Sequence, residues 1–176
     1  MKNWLVCGAL VAALIGSATL NAAELKVGDA APSFKMTASD GKTYSLDQFK
    51  GKSAVVIAWY PKSFTGGCTK ECKSMAEFGK DLKAYNVAYF TASCDPQDVQ
   101  KKFAESLSVD YPILADPTKE NATAFGVSDG TKNAARWTFF IDKTGKVVEI
   151  DKSVKTETHG KDIATKLGTL GIEKKS

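Results

Sequence analysis

Arginine and histidine are nearly missing from this chain of 176 residues. Of its 24 lysines and arginines only Arg136 is an arginine, and His159 is the single histidine. The lysines are dispersed without a long basic block, and the formal net charge is only +4. That balance disfavours nucleic-acid binding and fits an ordinary soluble surface. Wherever a generic positive charge serves, the sequence uses lysine. A lone arginine therefore suggests a place that needs a planar, permanently charged fork, the alternative being an ordinary surface salt bridge. His159 lies near an expected helix start with no partner visible in the sequence, which predicts an exposed capping role rather than catalysis.

Cysteine is also scarce, with four in all. Cys7 falls in an N-terminal segment with its own signature. Lys2 is a short positive start, residues 4–18 are apolar or small, and residues 20–23 (Leu-Asn-Ala-Ala) offer a small-residue cleavage site before polar sequence begins near Glu24. Residues 1–23 read as a secretory signal peptide, too short for a firm membrane span, with an uncleaved anchor as the alternative. Cleavage would remove Cys7 and leave Cys68, Cys72 and Cys94. An exported protein meets an oxidising compartment, where cysteines usually pair. Three cannot all pair within one chain, and a bridge between residues four apart would stabilise little. The arithmetic favours redox chemistry over structural stapling.

The remainder has the length and apolar content of one globular domain, without repeats, low-complexity tracts or a dividing linker. Short strands are expected over 34–36 and 42–45, then a helical turn over 46–49. Buried strands are expected over 53–60 and 87–93, with a helix over 69–85 between them. Pro96 opens a helix reaching about residue 107. A short strand over 111–114 and a short helix over 121–125 follow. Strands over 137–141 and 146–150 form a hairpin, and a last helix spans about 158–170. Strand–helix–strand alternation closed by a hairpin and a helix predicts an α/β fold with a mixed sheet covered on both faces.

One stretch concentrates the chemistry: Pro61-Lys62-Ser63-Phe64-Thr65-Gly66-Gly67-Cys68-Thr69-Lys70-Glu71-Cys72. A cysteine in the first turn of a helix has free backbone N–H groups and the positive end of the macrodipole beside its sulfur. Both favour the thiolate, the nucleophilic form. Sites in such sheets gather beyond the carboxyl ends of the parallel strands. Cys68 follows the first long strand, Cys94 follows the second, and Arg136 directly precedes a later one. If that later strand runs antiparallel, all three share one rim. Thr65 either supplies a hydroxyl beside the sulfur or merely caps the helix. Pro61 either shields the thiolate or merely forms the turn.

The spacing Pro-x-x-x-Thr-x-x-Cys resembles the peroxidatic signature of the peroxiredoxins, the alkyl hydroperoxide reductase/thiol-specific antioxidant family. The preceding Tyr60-Pro61-Lys62 resembles their Q-type branch, the bacterioferritin comigratory proteins. Arg136 before Thr138-Phe139-Phe140-Ile141-Asp142, and the pair Ser93 and Asp95, fit the same pattern. The resemblance covers about residues 25–170 and implies a thioredoxin-like fold with an added N-terminal hairpin across a domain of residues 24–176. It further implies an exported, periplasmic thiol peroxidase for hydrogen peroxide and organic hydroperoxides. Cys68 would be the nucleophile, supported by Thr65, Arg136 and Pro61, and a thioredoxin-like reductant would complete the cycle. That chemistry needs no metal or organic cofactor. The expected form is a monomer or weak dimer.

The departure lies at Cys72. Many Q-type enzymes place a resolving cysteine five positions after the peroxidatic one, and here the separation is four. Cys72 is the preferred resolving thiol and Cys94 the alternative; each also reads as a buried core residue. A rival reading comes from the copper-binding assembly factors of the SCO type, which use Cys-x-x-x-Cys and a distant histidine. Cys68, Cys72 and His159 would be the ligands. Arg136, standing where those proteins carry the histidine, argues against it.

Overall fold

The computed structural model describes residues 24–175. The proposed signal peptide, with Cys7, lies outside the described residues. Thirteen elements follow the predicted order. Strand β1 (Lys35–Ala38) and β2 (Thr43–Ser45) form the N-terminal hairpin, followed by a 3-10 turn at Leu46–Gln48. Strand β3 (Ala54–Trp59) leads to helix α1 (Gly66–Glu77) and the short α2 (Gly79–Lys83). Next come β4 (Val87–Ser93), α3 (Gln97–Leu107), β5 (Ile113–Ala115) and α4 (Glu120–Ala124). Strands β6 (Thr138–Ile141) and β7 (Val147–Asp151) precede α5 (His159–Thr169).

The seven strands form one sheet in the order β2-β1-β5-β4-β3-β6-β7. Strands β3, β4 and β5 run parallel, and β6 runs antiparallel to β3. This meets the condition set by the sequence. The start of β6, with Arg136 just ahead of it, lies at the edge where β3 and β4 end.

The central strands are buried on both sides, which explains their near-continuous apolar runs. Every residue of β3 is buried, and its side chains alternate between two cores. Val55, Ile57 and Trp59 join Phe90, Phe125, Phe139 and Val147 on one face. Val56 and Tyr60 join Cys68, Cys72, Met75, Leu82, Phe103, Ile163 and Leu167 on the other. Helices α1, α2, α3 and α5 thus cover the second face, while α4 contributes Ala122 to the first, with Phe125 just after it.

The single helix expected over 69–85 is instead two helices. It breaks at Phe78, whose φ and ψ of −91° and 13° leave the helical range. It also begins earlier than residue 69, and Cys68 is the third residue of α1, within its first turn as expected. Among the described residues no helix is long and apolar enough to cross a membrane.

Candidate active site

The approach to α1 is held by a buried polar network. Tyr60 Oη and Ser63 Oγ both donate to Gln100 Oε1, at 2.6 and 2.9 Å. Gln100 Nε2 donates to Ser93 Oγ at 2.7 Å, which donates to Asp95 Oδ2 at 2.8 Å. The same carboxylate accepts the Ser63 N–H at 2.7 Å. Ser93 and Asp95 therefore tie the end of β4 to the loop after β3. Pro61 sits half-buried at the start of that loop, and Phe64 takes a left-handed φ of 61°. Its exposed ring packs on Phe103, with centroids 5.0 Å apart.

Thr65 occupies the N-cap position, but its side chain caps nothing. Its hydroxyl donates to Lys62 O at 2.9 Å. The first N–H groups of α1 are thus left without a side-chain cap and stay available to an anionic sulfur. The Thr65 oxygen, its proton engaged, retains lone pairs that can accept a hydrogen bond from a peroxide.

Cys68 is only 1% exposed. Its position in α1 puts it on the inward face with Cys72 and Met75. Arg136 lies over the sulfur, and its Nη2 donates to Cys68 Sγ at 3.3 Å. A Cβ on Gly67 would stand 3.3 Å from that same Nη2, so a glycine lets the guanidinium approach without crowding.

The other arm of the arginine exposes a residue that the sequence reading missed. Nη1 of Arg136 is paired with Oε2 of Glu71, a carboxylate with no solvent exposure. The spacing carried only a partial signal, because the burial of Glu71 is a tertiary effect. Glu71 stands three residues after Cys68, so both share one helix face, and a buried acid requires a cationic partner.

His159 overturns its expected exposed capping role. It is 1% exposed at the start of α5, with Nε2 2.8 Å from Thr138 Oγ1 and Nδ1 3.1 Å from Glu71 Oε1. The cause is the close docking of α5 on α1. Gly160 N–H donates to Ser74 Oγ at 3.1 Å, and a Cβ at Gly160 would meet the Ser74 carbonyl oxygen at 2.2 Å. Only glycine lets the helix start come that near. Burial pushes the imidazole pKa down to about 4. Arg136 acts in the same direction, against the nearby Asp151 and Asp162.

A neutral ring held below its usual pKa stabilises the fold fully above about pH 6.5, and that contribution disappears as the pH falls through about 4. His159→Asn should therefore flatten the loss of stability across this interval. Urea melts of both proteins through that range check it, and parallel curves would contradict it. Glu71 on α1, Arg136 before β6, Asp151 on β7 and Asp162 on α5 are the charged groups around the ring.

The three described cysteines are free thiols. Cys72 is fully buried, with Sγ 3.8 Å from Thr91 Oγ1, while its carbonyl accepts the Tyr111 hydroxyl at 3.0 Å. Burial pushes its thiol up to about 12. Cys94 is half-buried against the opposite core, across the sheet from α1, and burial raises its thiol as well. The shared rim therefore brings Cys68 and Arg136 into contact but leaves Cys94 on the other face.

The copper-carrier reading finds no support in this geometry. Both ring nitrogens of His159 face Thr138 and Glu71, and the guanidinium occupies the sulfur's polar side. Among the described residues no group of three or more His, Cys, Asp or Glu side chains is arranged to hold a metal ion.

The AhpC/TSA family matches residues 27–150, a span that holds the whole cysteine–arginine–glutamate cluster. The chain belongs to that family. Peroxiredoxin Bcp of Bacillus subtilis is 30% identical over 153 residues, covering 83% of this chain and 95% of the relative. Peroxiredoxin Bcp of Escherichia coli K12 is 31% identical over 143 residues, covering 77% and 90%. Peroxidoxin BcpB of Mycobacterium tuberculosis superposes with a TM-score of 0.75 at 29% identity, covering 82% of this chain and 97% of its own. PrxQ of Xylella fastidiosa shares the fold with a TM-score of 0.77 at 20% identity, covering 84% and 98%. Within the AhpC/TSA family the chain is a thiol-dependent peroxidase of Q-type character with a thioredoxin-like fold.

Proposed function

We propose that Cys68 is the peroxidatic nucleophile, Arg136 its electrostatic partner, Thr65 and Pro61 its peroxide-facing support, and Cys72 the resolving thiol. The observation that carries the reading is the Arg136 Nη2–Cys68 Sγ contact at the first turn of α1. The thiolate attacks one peroxide oxygen, the O–O bond breaks, and the departing oxygen leaves as hydroxide or alkoxide and takes up a proton. Sulfur ends as sulfenic acid, oxidised by the two electrons the peroxide gains. Arg136 stabilises the negative charge as it passes from sulfur to the leaving oxygen. Hydrogen peroxide and organic hydroperoxides are the substrate class.

The sulfenic acid then condenses with Cys72, losing water and forming a disulfide. Residues four apart in a helix hold their Cα atoms ~6 Å apart, near the upper end of disulfide range. The bridge therefore requires the first turns of α1 to unwind. Gly66 and Gly67 favour this by giving the backbone extra freedom at the start of the helix. Unwinding also frees the Cys72 thiol from the burial that keeps it protonated. Cys94, across the sheet, would have to traverse the central strands. A thioredoxin-like thiol donor reduces the disulfide. Residues 1–23 support export to the periplasm, and the mature protein is read as a monomer or weak dimer.

Cys72→Ser tests the resolving assignment. The first oxidation should stay fast, the sulfenic acid on Cys68 should persist and react with dimedone, and excess peroxide should drive it to sulfinic acid. Normal recycling in this variant would return Cys72 to the role of a core residue.

A further inference from the structure

We propose that His159 is a positioning residue for the thiolate site: through Glu71 it sets the guanidinium of Arg136 against Cys68. The proposal rests on the reading of Cys68 as the reacting sulfur.

The contacts run in one line. Arg136 offers Nη2 to Cys68 Sγ and Nη1 to Glu71 Oε2. Glu71 Oε1 lies 3.1 Å from His159 Nδ1, outside hydrogen-bond alignment, and neither of these buried atoms has a hydrogen-bond partner elsewhere in the structure. His159 Nε2 meets the buried Thr138 hydroxyl at 2.8 Å. The proton positions follow in turn. Glu71, paired with a permanent cation, is ionised and can only accept. Of the two facing atoms, Nδ1 is therefore the one that carries a proton. Nε2 is then bare, and the Thr138 hydroxyl donates to it.

A histidine acting as base on Cys68 would hold a ring nitrogen at the sulfur. Here both nitrogens face elsewhere, so its influence is indirect. The guanidinium is a rigid plane, and fixing Nη1 fixes where Nη2 points. Glu71 can fix Nη1 only if its own carboxylate cannot turn. His159 Nδ1 is the polar neighbour placed to supply that anchor, 3.1 Å from Oε1, with its N–H needing only a small turn of the ring or carboxylate to come into line. Without it, the carboxylate is free to rotate and take both arms of the arginine, drawing Nη2 from the sulfur. The loss would also remove the one donor within reach of a buried carboxylate oxygen that has no other hydrogen-bond partner. The docking of Gly160 on Ser74 brings the histidine to this position, so the start of α5 becomes part of the site's support.

The test compares His159→Leu, which removes the donor, with His159→Asn, whose amide can offer a donor near the place of Nδ1. Two readouts are taken on each folded protein. One is the rate of Cys68 alkylation by iodoacetamide across pH, quantified by peptide mass spectrometry. The other is the second-order rate with hydrogen peroxide. For His159→Leu both rates at neutral pH should fall about 10-fold, and the alkylation profile should move to higher pH, while His159→Asn should stay within about threefold of the parent. A purely structural role would lower the melting temperature and leave both readouts of the folded protein unchanged, which overturns the proposal. So does a His159→Asn variant no better than His159→Leu. If His159→Leu does not fold, Thr138→Val carries the comparison: slower alkylation is expected, and an unchanged profile overturns the proposal. The alkylation arm needs no peroxide chemistry. A parent protein that alkylates at Cys68 but consumes no peroxide would refute the peroxidatic reading while the positioning comparison still stands.

Discussion

Cys68→Ser is expected to abolish peroxide consumption while leaving the fold intact. Serine differs from cysteine by one atom, and Cys68 sits in the buried face of α1, so the packing of α1 against the sheet should survive. The chemistry should not, because a serine hydroxyl supplies no anion for Arg136 to stabilise near neutral pH. The helix terminus and the guanidinium lower the barrier for a thiolate, and neither creates a nucleophile where none ionises. Stopped-flow measurement of peroxide loss checks this. Turnover near that of the parent would move the chemistry to Cys72 or Cys94 and dissolve the assignment of the site.

Arg136→Lys should lower the second-order rate with peroxide by about 10-fold or more, the scale of one lost electrostatic stabiliser. The substitution keeps the charge. What it loses is the fork, which meets Glu71 with Nη1 and Cys68 with Nη2 at once. A single ammonium at the end of a flexible stem holds that double engagement poorly. Because Glu71 is fully buried, a weakened partner should also reduce stability; breaking a buried pair outright costs about 3–5 kcal/mol. An unchanged peroxide rate with reduced stability would make Arg136 a structural counter-ion alone.

Much of this architecture was legible in the sequence because its signals are local. The apolar, β-branched run before Tyr60 marks β3, Pro96 marks the start of α3, and the Asp-Lys-Thr-Gly turn after Ile141 marks the last hairpin. Cys68 and Arg136 stood out by motif and by rarity. What escaped the reading depends on tertiary contact. His159 sits among Thr, Glu and Lys and reads as polar surface. Its burial follows from Gly160 meeting Ser74, a contact 86 positions away along the chain. Glu71 and Gln100 read as polar residues on helical surfaces, although each lies fully buried in a polar cluster formed with residues distant in sequence. The break at Phe78 was hidden because Gly79 looked like a tolerated glycine inside a continuous helix. It lies instead beneath Tyr89 and Asp110, where a Cβ would meet oxygens of both side chains at 3.4 Å.

The central claim is that Cys68 is oxidised by peroxide and passes its oxidation to Cys72 on the same helix. Peptide mass mapping after one equivalent of hydrogen peroxide tests it most directly. A single disulfide joining Cys68 and Cys72 is expected, with Cys94 recovered as a free thiol. A Cys68–Cys94 bridge, or oxidation that spares Cys68, would contradict it.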